Sequence, residues 1–127
     1  MLHKASAGFT IIELLVILAV VAILAGVALP SYFTYLDRSA FGACQQELSS
    51  FNTRVLATDH LDDAFEPYRF AACSVGESGQ PTQLAVADAL RGVFDGDATS
   101  LVLNTQRSNV QARITSQGIV ERVMAPE

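Results

Sequence analysis

The sequence predicts an α+β fold: a long N-terminal helix, apolar in its first half and amphipathic in its second, packed on a small antiparallel β-sheet. Three observations lead there. From Phe9 to Leu29 run 21 residues with a single ionisable side chain, Glu13. Beyond Pro30, the apolar residues Phe33, Leu36, Ala40, Cys44, Leu48, Phe51 and Val55 recur every three or four positions, which is one face of a helix. Towards the C-terminus, short runs alternate apolar and polar side chains between turn residues, as half-buried strands do.

The whole chain limits what such a fold can do. Its 127 residues make room for one compact domain and leave little for a multidomain enzyme. Half of the residues are hydrophobic, but they concentrate near the N-terminus, and the remainder has the composition of an ordinary soluble domain. A formal net charge of -5 disfavours non-specific attraction to nucleic acid or anionic surfaces. Cys44 and Cys73 form neither a C-x-x-C pair nor a zinc spacing, and the histidines are His3 and His60, so no metal site or cofactor is expected.

The first element, residues 9–30, is long enough to span a bilayer, since its rise of about 1.5 Å per residue roughly matches the hydrocarbon thickness. Lys4 and the amino terminus precede it, whereas Asp37 and Arg38 after it cancel. The positive flank places residues 1–8 in the cytoplasm and the bulk of the chain outside, where an oxidising compartment lets Cys44 and Cys73 pair. A secretory signal peptide, with small residues at Gly26 to Ala28 for cleavage, or a plain anchor would also explain the hydrophobicity. Neither accounts for Glu13. A carboxylate at the centre of a membrane helix costs roughly 2.5–3.5 kcal/mol, less near the end, and calls for a cationic partner. Cleavage between Gly8 and Phe9 would create an α-amino group four residues before Glu13. In staggered parallel helices that amine would meet a neighbour's Glu13 and select the register of the subunits.

The run Gly8-Phe9-Thr10-Ile11-Ile12-Glu13, after a short leader containing Lys4 and before an apolar stretch to Pro30, resembles the prepilin signature of type IV pilins and type II secretion pseudopilins. The likeness is close over about the first 40 residues and general beyond them. It implies a leader, residues 1–8, removed by a membrane prepilin peptidase that also methylates the amine of Phe9. It implies a membrane and filament-core helix, residues 9–30, and a periplasmic, later extracellular, head, residues 31–127. On this resemblance the chain is a structural subunit of a type IV pilus and not an enzyme. Its partners are identical or related pilins, the peptidase and an inner-membrane platform driven by an ATPase, with Glu13 and Phe9 as the assembly ion pair. The alternatives are a type II secretion pseudopilin, or a minor tip pilin that binds DNA or a surface.

The apolar stripe past Pro30 extends the helix from Phe9 to about Thr58, roughly 75 Å if straight. Gly26 weakens it and Pro30 removes a backbone donor, so a kink or a melted stretch is expected there. Asp37, Arg38, Gln45, Gln46, Ser49, Asn52 and Arg54 form its polar face. Cys44 lies on the apolar stripe and points into the head, where a bridge to Cys73 would tie down an irregular segment and contribute roughly 3–4 kcal/mol through loop closure. This position departs from the C-terminal cysteine pair of many type IVa pilins. Residues 59–81, rich in Asp, Gly and Pro, form a long connection. Gln83 to Phe94 fits neither helix nor strand periodicity cleanly. Ser100 to Asn104, Asn109 to Thr115 and Ile119 to Val123 are three strands of a meander, with Val110, Ala112 and Ile114 facing inward.

Little in the inventory points to chemistry. His60 has no nucleophile motif beside it and reads as a solvated helix-end residue. Asp95-Gly96-Asp97, with Asp59, Asp62 and Asp63 elsewhere, lacks the ligand spacing of a calcium loop and reads as a solvated acidic turn. Arg107, Arg113 and Arg122 read as surface charge ahead of a DNA-binding strip.

Overall fold

A computed structural model of the chain describes residues 8–58 and 67–126. His60, Asp59, Asp62 and Asp63 fall outside the described residues. The chain divides into two compact units, Met1–Tyr35 and Leu36–Glu127. Helix α1, Ile11–Ala57, contributes its first part to the one and the rest to the other.

In the first unit, every side chain from residue 8 to residue 35 is exposed. Helical structure continues through Gly26 and Pro30, so the melted stretch is not the form this segment takes. Pro30 supplies no N–H to the carbonyl of Gly26, yet local hydroxyls return hydrogen bonds to the same turns. Ser31 Oγ donates to the carbonyls of Ala28 and Val27 at 3.0 and 3.3 Å, and Thr34 Oγ1 donates to that of Pro30 at 3.3 Å.

In the second unit, α1 buries Cys44, Leu48, Phe51 and Val55. The stripe is therefore shorter than its periodicity suggests: Leu36 and Ala40 are half-buried, and Phe33 belongs to the first unit and stays 55% exposed. The helix ends at Ala57, where Thr58 Oγ1 donates to the carbonyl of Arg54 at 2.9 Å and the Arg91 guanidinium donates to the carbonyls of Val55 and Thr58.

The ambiguous segment is helix α2, Gln83–Asp95. Thr82 caps it by accepting from Ala85 N at 3.2 Å, and Gly96 ends it in the left-handed conformation with φ 92°. Val86, Ala87, Leu90 and Val93 are buried, a helical set that Leu84 obscured because it is apolar yet 45% exposed. Gly96 thus serves as a cap, and Asp95 is the last residue of α2.

Strands β1 (Ser100–Asn104), β2 (Val110–Thr115) and β3 (Val120–Met124) form an antiparallel sheet in the order β1-β2-β3. Val110, Ala112 and Ile114 are buried, and Leu103 opposite Ala112 joins them. The core unites Leu48 and Phe51 of α1 with Val86, Ala87 and Leu90 of α2 and with Leu103, Ala112 and Ile114 of the sheet. The three arginines do not make one strip. Arg113 lies opposite Glu121, whereas Arg122 lies opposite Ala112 on the other face of the sheet. Arg107 Nε donates to Asp37 Oδ1 at 2.5 Å, and Asn109 Nδ2 donates to Asp37 Oδ2 at 3.1 Å.

The irregular run before α2 is held to α1 at two points one helical turn apart. Cys44 and Cys73 form a disulfide with a Cα separation of 4.7 Å. Glu47, three residues beyond Cys44, accepts backbone N–H bonds from Ala71 at 2.7 Å, from Ala72 at 2.9 and 3.0 Å, and from Cys73 at 2.9 Å. A carboxylate satisfying three successive amides replaces water that the half-buried run would otherwise need. On the far side, Ser74 N donates to the carbonyl of Asn104 at 2.8 Å, docking the run on β1. Phe51, Tyr68 and Phe70 pack ring to ring at 4.9–5.4 Å between centroids, fixing its start.

Two measurements on the full chain in detergent check this fastening. Replacing both cysteines by serine is predicted to lower the unfolding free energy of the head by about 3–4 kcal/mol. Glu47→Ala, which strands three amides, should lower it by about 2–3 kcal/mol. Denaturant midpoints equal to the parent's would contradict both.

Candidate functional site

The site follows from how α1 begins. Thr10 precedes the first helical residue, and its side chain and that of Glu13 satisfy each other's turn. Glu13 N donates to Thr10 Oγ1 at 3.3 Å, while Thr10 N donates to Glu13 Oε2 at 2.9 Å. Thr10 Oγ1 also donates to Glu13 Oε2 at 3.0 Å. This reciprocal pair is a capping box, and a T-x-x-E spacing ahead of an apolar run is its sequence sign. Within one subunit, then, Glu13 already has donors. It sits near the positive end of the helix dipole, which also favours its charge.

Around that carboxylate the surface is apolar. Phe9, Ile12, Glu13, Val16 and Ile17 line an open hollow of about 310 Å³, with Glu13 its only ionisable wall among the described residues. Phe9 is 80% exposed and Ile11 81% exposed. Gly8 stands just outside, and a Cβ built there would meet nothing within 4 Å. Among the described residues, no contact therefore requires glycine at residue 8.

The structure brings Phe9 and Glu13 to one end of α1, with Gly8 preceding them. Gly26 and Pro30 lie further along the same exposed helix, and the Cys44–Cys73 bridge belongs to the second unit. Three contributors escaped the sequence reading: Thr10 as the cap, Glu47 as the acceptor for residues 71–73, and Asp37 as the partner of Arg107 and Asn109. The first had a legible sign; the other two depend on contacts between residues far apart in sequence. Among the described residues, no group of three or more His, Cys, Asp or Glu side chains is placed to hold a metal ion.

Comparison with known proteins adds to this geometry. Residues 3–29 match the family described as the prokaryotic N-terminal methylation motif. The chain is 31% identical over 108 residues to a type IV major fimbrial protein FimA of Dichelobacter nodosus, an alignment covering 85% of this chain and 59% of that protein. It is 41% identical over 52 residues to the type IV major alpha-pilin of Moraxella bovis, which covers 41% of this chain and 33% of the relative. The chain thus spans less than two thirds of the length of these two relatives. Another FimA of Dichelobacter nodosus is 38% identical over 125 residues, 88% of this chain and 78% of its own length. No solved structure matches. An apolar, exposed stem that begins with a capped glutamate, joined to a helix-and-sheet head and matched over most of a FimA chain, makes this protein a member of the type IV pilin family.

Proposed function

We propose that the chain is a structural subunit of a type IV pilus, made as a precursor and assembled through its stem. One observation carries this reading: from residue 8 to residue 35 no residue is buried, and the large apolar side chains of this segment are 48–81% exposed. Exposing that much hydrocarbon to water is unfavourable at roughly 25 cal/mol per Å², so the segment requires an apolar environment at every stage. In the precursor the bilayer provides it, with residues 9–30 spanning the inner membrane and the head, residues 31–127, in the periplasm. In the filament the stems of other subunits provide it, and the head becomes extracellular.

Cleavage after Gly8 by a prepilin peptidase supplies the step between the two states. It frees the amine of Phe9, which the same enzyme methylates and which keeps its positive charge. In the filament that amine meets Glu13 of a neighbouring subunit. Glu13 is suited to the exchange, because its bonds to Thr10 satisfy it in the bilayer and, among the described residues, leave its other oxygen, Oε1, available to the cation. An inner-membrane platform and its ATPase perform the extraction. Gly26 and Pro30 are where the helix would yield as stems pack, since one carbonyl there already lacks its donor. The DNA-binding alternative is weakened by the pairing of Arg107 with Asp37 and the placement of Arg113 opposite Glu121. The pseudopilin alternative has the same stem, but the named relatives above are fimbrial proteins and pilins.

Two substitutions at Glu13 test the ion pair separately from the cap. Gln retains an acceptor for Thr10 N but has no charge, whereas Ala removes both functions. Removing one partner of a buried pair costs roughly 3–5 kcal/mol, so both variants should yield at least about tenfold fewer sheared filaments, with cleaved subunit accumulating in the membrane. Parental filament yield from Glu13→Gln would show that assembly needs the cap and not the charge.

A further inference from the structure

Resting on the membrane reading above, we infer that Tyr32 and Tyr35 form a contact surface for phospholipid headgroups, which sets the depth of the precursor in the bilayer. The inference comes from following the polar side chains along the stem. Thr10 and Glu13 satisfy each other. Ser31 and Thr34 donate to carbonyls of their own helix. Such groups tolerate hydrocarbon because their hydrogen bonds are met internally. Tyr32 and Tyr35 differ: their phenol hydroxyls have no protein partner among the described residues, and the side chains are 57% and 66% exposed.

A phenol with an exposed ring and an unmet hydroxyl fits a layer that is apolar on one side and rich in phosphate, ester and water on the other. The position agrees. From Ile12 to Tyr32 the helix rises about 30 Å, the thickness of a bilayer's hydrocarbon core. Tyr32 and Tyr35 are three residues apart and so project from neighbouring positions on one side of the helix. Phe33 packs edge-on to Tyr32, with ring centroids 6.4 Å apart, and extends the aromatic surface. Two of the chain's three tyrosines therefore stand within one turn, immediately beyond Pro30. The occupant is a phospholipid headgroup, with the phenols on its phosphate or ester oxygens and the rings against the first methylenes.

The sequence contains no tryptophan, so a single introduced one reports depth without background. The full precursor would be reconstituted in vesicles of phosphatidylethanolamine and phosphatidylglycerol containing phosphatidylcholines brominated near the headgroup or near the chain end. Tyr32→Trp and Tyr35→Trp should be quenched at least about twofold more by the shallow bromines, and Val20→Trp by the deep ones. Quenching of both tyrosine-site probes only by aqueous iodide, as for a Gln46→Trp control, would overturn the inference while leaving the membrane span intact. So would equal quenching with Val20→Trp. If Val20→Trp itself escapes lipid quenching, the membrane reading fails and this inference falls with it. Because tryptophan also favours interfaces, a reporter at Ile23→Trp supplies a second measurement. Its quenching depth should shift when Tyr32 and Tyr35 are both alanine, and an unchanged profile would overturn the anchoring role.

Discussion

The stem of this protein is left uncovered by the described residues of its own chain. From residue 8 to residue 35 nothing is buried, although the segment is the most apolar in the sequence. A soluble domain would fold such a helix into its core. Here the core is complete without it, built from Leu48, Phe51, Leu90, Leu103 and Ile114. On the proposed reading the stem takes lipid and then neighbouring stems as its partners, and the rest of the chain is compatible with that exchange. Ser31, Thr34 and Glu13 are satisfied locally, so lipid imposes no unmet hydrogen bonds on them.

The head has the opposite problem. It is small and includes a long irregular run, and its core alone leaves a narrow margin of stability. The amphipathic part of α1 compensates by serving as the attachment for the irregular run, α2 and the β1–β2 turn. Asp37 receives the β1–β2 turn through Arg107 and Asn109; Cys44 and Glu47 together receive residues 71–73; and Val55 and Thr58 receive Arg91 from α2. These attachments lie along α1 and at its C-terminal end, and they tie the β1–β2 turn, residues 71–73 and α2 to the same rod and couple their stabilities.

The parts of this architecture legible in the sequence are those written in local periodicity. The apolar run with Glu13, the stripe through Cys44, Leu48, Phe51 and Val55, and the alternation in Val110, Ala112 and Ile114 each depend on neighbours within a turn or a strand. Strand ends moved by a residue, because register across the sheet decides them and the sequence of one strand does not contain it. Helix α2 was obscured by Leu84, an apolar side chain on the solvent side, although Thr82 and Gly96 bracketed it with capping signals. Phe33 looked like a core residue because periodicity cannot tell where a head ends. Glu47 and Asp37 were not legible as ties at all, since an acidic residue on a helix face looks the same whether it meets water or three amides. At the candidate site, Glu13 stood out as the single ionisable side chain of the apolar run and Gly8 and Phe9 were fixed by the resemblance, while the capping role of Thr10 was written in the sequence but overshadowed by the question of which cation Glu13 would meet.

The central claim is that the stem exchanges lipid for neighbouring stems. A photoreactive benzoylphenylalanine at Leu18, 57% exposed and within the apolar run, tests it most directly. Irradiated inner membranes and sheared filaments from the same cells would be compared by mass spectrometry. The account predicts lipid adducts on the membrane-held subunit, and subunit–subunit adducts lacking residues 1–8 in the filaments. Lipid adducts alone in both fractions, or crosslinks to the subunit's own head, would contradict it.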